Sequence, residues 1–432
     1  MNFVASTKHL LSKPFLLIYS FVVFAIPLIF SQNTGEFYEF PKITFFYTLG
    51  AFIFALYISD TIIWPRKNIR LPLVVVLFAV SFAVSTLVSS HPYTSVFGYY
   101  SRFADSLLFY LAVLCFYYIA MNVLSKKDIG LLFNVAHFGS VILFLFALGQ
   151  YFSLFTFLWG GQLQERVFST LGQPNWYAQY LTMLLGISMF EFLFKGRKVY
   201  LLFCFVQFFS LWLTFSMSGL AGFILTIFSY FYLFLFGKEK IEGKKNFLFR
   251  VAAVLALVFV VSLLFPGIFR AKLRDMITDF RKVVGGNFLV YAQNVTETNQ
   301  ISDPGYIRSG LWRGTVDMII SNPKIFILGS GPETFPYYFQ KFRPLSLNYS
   351  SEWNFVFNKP HNYYLEIWAE QGILGIISYL LFLIFVLKKV DAKYRGAVIA
   401  FAVTNFFGWP TVTTFVIFWL IVSTIGAKNE TF

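Results

Sequence analysis

The chain has 432 residues, of which 58% are hydrophobic, 22% aromatic and only 12% charged. Soluble domains carry roughly 25% charged residues, so the composition excludes a soluble globular protein and points to an all-α polytopic membrane protein. A formal net charge of +14 would suit a nucleic-acid partner, but the basic residues fall in short clusters between apolar runs, which is a topology pattern and argues against nucleic acid.

Apolar runs near the roughly 17–25 residues needed to span a bilayer fall at 14–30, 42–63, 71–89, 105–124, 130–156, 175–194, 198–215, 218–236, 247–265, 363–387, 394–409 and 411–427. They predict about twelve transmembrane helices in a single integral membrane domain over 1–432. The first run follows Lys8 and Lys13 with no small-x-small cleavage site after it, so it reads as a retained helix. Arg66/Lys67/Arg70, Lys126/Lys127, Lys195/Arg197/Lys198, Lys238/Lys240/Lys244/Lys245, Lys388/Lys389/Lys393/Arg395 and Lys428 fall on the same set of ends as Lys8 and Lys13. The positive-inside rule then makes both termini cytoplasmic and turns the alternate loops outward. Gly408-Trp409-Pro410 leaves room only for a tight turn between the last two runs.

One outward loop, 266–362, is long and precedes the last three helices. Loops of that length are functional or disordered. This one holds Trp312 and Trp353 and is expected to fold over the membrane mouth. Within it, Leu273, Met276, Ile277 and Phe280 recur at helical spacing between Arg270, Lys272, Arg274, Arg281 and Lys282. That pattern suits a helix over 269–285, lying against anionic headgroups or packed on the rest of the loop. The two cysteines, Cys115 and Cys204, sit in apolar runs and read as core residues. His9, His91, His137 and His361 are too scattered for metal-ligand spacing, and no metal or cofactor is expected. The chain shows no internal repeat.

Isolated polar groups stand out against this background, because ionisable groups at membrane depth are functional by default. Outward loops carry Arg102, after Ser95-Val96-Phe97-Gly98; Arg166, ahead of Gly172-Gln173-Pro174-Asn175-Trp176-Tyr177-Ala178; and Arg308 and Arg313 flanking Trp312, followed by Asn322-Pro323 and Gly329-Ser330-Gly331-Pro332. Taken singly, each arginine reads as an interfacial anchor; concentrated in the outward loops, they suit phosphate oxygens, which guanidinium matches in paired geometry. The backbone N–H groups around Gly329 and Gly331 are candidates to approach an anion. In Pro360-His361-Asn362-Tyr363-Tyr364-Leu365-Glu366, Pro360 suits the first helical position, which puts His361 in the first turn. There the positive end of the helix keeps imidazole neutral, as a general base requires. Leu365 and Trp368 share the His361 face, while Asn362, Glu366 and Glu370 form a neighbouring stripe. One of the two glutamates is therefore expected to pair with an arginine and neither with His361. An interfacial histidine that only serves the helix start is the plain alternative.

These blocks together resemble the bacterial O-antigen ligase and polymerase superfamily: Arg166 with Gly172-Gln173-Pro174-Asn175-Trp176-Tyr177-Ala178, Arg308-x-x-x-Trp312 leading to Gly329-Ser330-Gly331-Pro332, and His361-Asn362-x-x-Leu365 to Glu370-x-Gly372. The resemblance covers roughly residues 70–425. It implies a glycosyltransferase of the bacterial inner membrane, with its active site on the periplasmic side. The donor would be a glycan on undecaprenyl diphosphate, and the acceptor hydroxyl would belong to lipid A–core or a similar molecule. It implies that His361 activates the acceptor and that Arg166 and Arg308 bind the diphosphate, with Arg313 a second choice beside Arg308. Asn175, Asn362, Glu366, Glu370, Trp312, Gly329 and Gly331 would support them. Many members carry a Ser-Arg pair where Ser216-Met217-Ser218-Gly219 stands here, and Arg102 is the candidate replacement. Diphosphate is a good leaving group whose growing charge fixed cations can stabilise without a metal, and direct attack would invert the anomeric centre. A polymerase differs only in acceptor. A transporter of lipid-linked glycan is the reading from another class, against which stand the lack of a repeat and polar groups at the outward surface instead of the midplane.

Overall fold

In the computed structural model, which describes residues 2–64, 70–154, 156–159, 166–237, 244–264 and 304–429, each of the apolar runs contains a helix. In chain order the helices are α1 (Asn2–Ala25), α2 (Glu39–Ile63), α3 (Leu73–Leu87), α4 (Pro92–Phe97), α5 (Leu107–Val123), α6 (Lys126–Tyr151), α7 (Pro174–Leu193), α8 (Val199–Leu213), α9 (Met217–Phe236), α10 (Lys244–Leu264), α11 (Pro304–Ile320), α12 (Pro323–Leu328), α13 (Phe335–Phe339), α14 (Tyr363–Lys389), α15 (Ala392–Phe406) and α16 (Val412–Gly426). Among the described residues, Glu39–Ile63, Lys126–Tyr151, Met217–Phe236, Asn246–Leu263 and Tyr363–Lys389 are long and apolar enough to cross a membrane. Shorter apolar helices such as Leu107–Val123 and Val412–Gly426 pack beside them. The chain is a multi-pass, helical membrane protein. The amphipathic segment expected at 269–285 lies outside the described residues.

Short polar side chains set the helix starts by accepting orphan backbone N–H groups. Ser106 caps α5, Ser125 and Asp128 form a capping box on α6, Ser216 caps α9, and Thr411 with Thr414 boxes the start of α16. α7 is the central rod: every residue in it except Asn175 is buried. A helix apolar on all sides belongs inside a bundle, and α7 packs against α8, α9 and α15. Small residues permit this approach. A Cβ on Gly186 of α7 would come within 2.9 Å of the Ala397 backbone N on α15. Cys204 is buried and Cys115 partly so, both as free thiols in the packing.

Basic clusters from several connections meet at one end of the bundle. Glu191, near the C-terminus of α7, pairs with Arg197 at 3.1 Å and Lys393 at 2.7 Å; Lys126 approaches Asp391 at 3.6 Å. Arg166 precedes the N-terminus of α7 and so belongs to the opposite end.

That opposite end carries the described part of the long loop. Here α11, α12 and α13 close over their own apolar core of Leu311, Met318, Phe335, Phe339, Leu347 and Phe357, shared with Ala369 of α14. α14 is broken at Gly372, whose backbone (φ 68°, ψ −167°) is not helical. The carbonyls released by the break are satisfied from outside the helix. Ser330 N–H donates to Ala369 O at 3.0 Å and Gly331 N–H to Glu370 O at 2.9 Å, and the Ser85 hydroxyl also reaches Glu370 O. Irregular backbone at membrane depth is tolerated where protein surrounds it.

Candidate functional site

α14 starts at Tyr363, three residues later than the proline suggested. Asn362 is the N-cap; its Oδ1 accepts from Tyr364 N–H at 3.0 Å and Leu365 N–H at 3.2 Å. Asparagine is among the strongest N-caps, and this preference outweighs that of Pro360 for the first helical position. His361 therefore lies outside the helix, with left-handed backbone (φ 54°). Its ring meets Trp409 edge-on, with centroids 4.9 Å apart at 80°. Burial lowers its pKa to about 3, and the charges of Arg308 and Arg102 push the same way. Imidazole is thus neutral at physiological pH, through desolvation and nearby cations rather than through a place in the first helical turn. His361 lines a pocket with Asn175, Trp176, Gln179, Thr404 and Trp409.

Three arginines come from different parts of the chain to this place. Arg166 is anchored by Nε to Thr214 O at 2.9 Å and by Nη2 to Asn175 Oδ1 at 3.0 Å. Ser216 Oγ donates to the same Asn175 oxygen at 2.8 Å. Burial and then the charge of Arg308 lower the Arg166 pKa to about 10, so the Arg166 guanidinium stays charged at neutral pH. Arg102 lies over the rings of Trp176 and Trp409, 5.2 and 5.5 Å from their centroids. Its Nη1 is buried with no hydrogen-bond partner among the described residues. Trp409 thus contacts both Arg102 and His361. That tryptophan was visible in sequence only as part of a tight turn.

Arg313 is exposed, and five residues along α11 turn it about 140° from Arg308, away from His361 and Arg166. Trp312 packs edge-on to Phe406 at 5.4 Å and beside Phe407. This supports α11 against the end of α15.

Gly329 and Gly331 have a different place from the anion cradle the sequence suggested. The N–H groups of Gly329, Ser330 and Gly331 all donate inside the protein, to Ile325, Ala369 and Glu370 carbonyls. Both glycines have positive φ and touch other chain segments closely: a Cβ on Gly329 would collide with the Glu370 backbone, and one on Gly331 with Ser89 and Ser95. They dock the loop into the break of α14.

The two glutamates of α14 also depart from expectation, since neither pairs with an arginine. Glu370 accepts from the backbone N–H groups of Glu333 (2.8 Å) and Phe335 (3.0 Å). Glu366 pairs with Lys359 at 2.5 Å. Lys359 also donates to Asp105 at 2.9 Å and to Glu333. Lysine, aspartate and both glutamates are all buried. The carboxylates of Asp105, Glu333 and Glu366 converge closely enough to ligate a cation, and the Lys359 ammonium bonds to all three. Burial pushes that ammonium's pKa down, but Asp105, Glu333, Glu366 and Glu370 together raise it well above its ordinary value.

Sequence reasoning missed this node. Its one signal was a lysine between Asn358 and Pro360, matched by single carboxylates in otherwise uncharged surroundings.

No curated protein and no solved structure matches the chain. Residues 202–380, a stretch that includes Arg308, the α14 break and His361 but not Arg102 or Arg166, match the family described as O-antigen ligase, and this match supports the resemblance to the O-antigen ligase and polymerase superfamily.

Proposed function

We propose that the protein transfers a glycan from undecaprenyl diphosphate to an acceptor hydroxyl, most simply that of lipid A–core, on the outer face of the bacterial inner membrane. The observation that carries this reading is the convergence of a neutral His361 with Arg102, Arg166 and Arg308 at one end of the bundle. Cations brought near one another favour an anion between them, here beside carboxylates such as Glu352, whose pKa burial raises and the Arg308 charge pulls down. A diphosphate is such an anion, and guanidinium forks match its oxygens. In the proposed step His361 accepts the proton of the acceptor hydroxyl, whose oxygen attacks the anomeric carbon. The bond to the diphosphate breaks, its electron pair stays on the leaving oxygen, and the anomeric configuration inverts. Arg166 and Arg308 stabilise the charge that grows there, and Arg102, fixed between two tryptophans, adds a third cation. Both termini then face the cytoplasm, on the side of the basic clusters.

The test is transfer by the full-length protein in nanodiscs. It is given an undecaprenyl-diphosphate-linked oligosaccharide, with and without lipid A–core and with EDTA present, and mass spectrometry identifies which molecule carries the glycan. Glycan on lipid A–core is the expected product, abolished in His361→Ala. Longer chains on undecaprenyl diphosphate would make the protein a polymerase. No product with either acceptor, together with movement of the glycolipid across a sealed bilayer, would replace the transferase with a transporter.

A further inference from the structure

The mechanism above makes no use of Lys359, although this lysine ties together three separate segments of the outer end. Its ammonium reaches Asp105 in the segment that carries Arg102, Glu333 in the loop docked into the α14 break, and Glu366 in the first turn of α14. His361 follows two residues later in sequence. Each connected segment is held further. Glu333 Oε2 accepts from Tyr99 N–H at 3.3 Å, and Glu370 accepts the backbone N–H of Glu333 itself. Among the described residues, seven without a glycine's freedom adopt positive φ, and four of them (Phe103, Asp105, Glu333 and His361) belong to these segments. Such backbone persists only where its surroundings over-determine it.

Buried ion clusters contribute little to stability compared with apolar packing of the same volume. What this one supplies is position. We infer that Lys359 is the positioning residue that holds His361 and the Arg102 segment in register, through its bonds to Asp105, Glu333 and Glu366. The bonds fix where residue 359 sits, the single residue Pro360 has a locked φ, and Asn362 is fixed as the cap of α14. His361 is therefore constrained from both sides, with its ring against Trp409, the indole that also carries Arg102.

The inference rests on the proposed role of His361, so its test needs a readout besides turnover. Full-length protein in nanodiscs is treated with diethyl pyrocarbonate, and carbethoxylation of His361 is followed by peptide mass spectrometry in wild type, Lys359→Met, Glu333→Gln and Glu191→Gln. Glu191 lies at the far end of the bundle and serves as the control. His361 is expected to label several times faster in Lys359→Met and, to a smaller degree, in Glu333→Gln, with Glu191→Gln at the wild-type rate. A folded Lys359→Met protein whose His361 labels at the wild-type rate overturns the inference. If that variant does not fold, the same readout on Glu333→Gln decides, because the amide keeps the shape and removes one charge. In the transfer assay kcat is expected to fall by about 100-fold, the scale of a 1 Å misplacement, with the donor KM little changed. A raised KM at unchanged kcat would also overturn it. A wild-type protein that labels as expected but transfers glycan to no acceptor would refute the transferase reading and leave the positioning result standing.

Discussion

At the scale of single residues, the site separates Arg308 from Arg313, its second choice in the sequence. Arg308 influences both His361 and Arg166, whereas Arg313 is exposed on another face of α11. Lysine keeps the charge but loses the planar fork. Arg308→Lys is therefore expected to lower kcat by about tenfold, short of the ~100-fold or more that follows loss of a whole charge-stabilising donor. Arg313→Lys should stay within about twofold of wild type, as surface changes do. Initial rates at saturating donor measure both, and a larger loss in Arg313→Lys would mean that the other guanidinium meets the diphosphate. The same scale explains why Asn175 and Asn362 are polar. The first orients Arg166 and the second caps α14, so each acts through a neighbour.

At the scale of elements, the break in α14 joins the membrane bundle to the outer cap. Gly372 has a left-handed φ of 68°, and a Cβ there would collide with the Ile327 carbonyl at the end of α12. Alanine at this position meets two costs: about 1–3 kcal/mol for a positive-φ, extended backbone that is essentially confined to glycine and about 1–3 kcal/mol for overpacking. Gly408→Ala is the matched comparison, since the nearest atom to a Cβ there is the Thr404 carbonyl at 3.7 Å. Gly372→Ala should lower the thermal midpoint in detergent and weaken transfer, because the displaced segment is continuous with Glu333; Gly408→Ala should leave the midpoint unchanged. Equal midpoints for the two would mean that the break is not held by this contact. The break also marks where sequence reasoning stopped. Helix positions were legible because long apolar runs have one stable form in a membrane. The break was not, since a single glycine within an apolar run is equally compatible with a continuous helix. His361 was legible as a polar residue at the mouth, but its exit from the helix depended on whether Pro360 or Asn362 set the start.

At the scale of the whole molecule, the site is assembled from the starts of α7 and α11, the ends of α8 and α15, the Arg102 segment and the turn before α16. No local pattern reveals such long-range convergence. What the sequence could not order, the packing around α7 does: Gly186 and Gly396 let α7, α9 and α15 approach closely, and Tyr230 on α9 donates to the Gly186 carbonyl at 2.7 Å while Thr226 donates to that of Gly396 at 3.0 Å. α15 carries Thr404 into the pocket and leads to Trp409, so its seat on α7 fixes one wall of the site. This separates two effects of one substitution. A Cβ on Gly396 would collide with the Tyr230 hydroxyl, and Gly396→Ala should destabilise the bundle by about 1–3 kcal/mol. Gly396, however, lies near the basic end, more than two helical turns along α15 from Thr404. If the bundle transmits the misfit along its length, transfer by the folded fraction falls together with stability. If the misfit is absorbed locally, the thermal midpoint drops and kcat, corrected for active fraction well below that midpoint, does not. We expect the second outcome, because the end of α15 is held independently: Gln179 on α7 donates to Thr404 Oγ1 at 2.9 Å and to Asn405 Oδ1 at 2.6 Å. Removing that second anchor in Gln179→Ala, with Gly396 intact, should then reverse the pattern, lowering kcat more than the midpoint. Parallel losses in both variants would mean that α15 moves as one rigid rod.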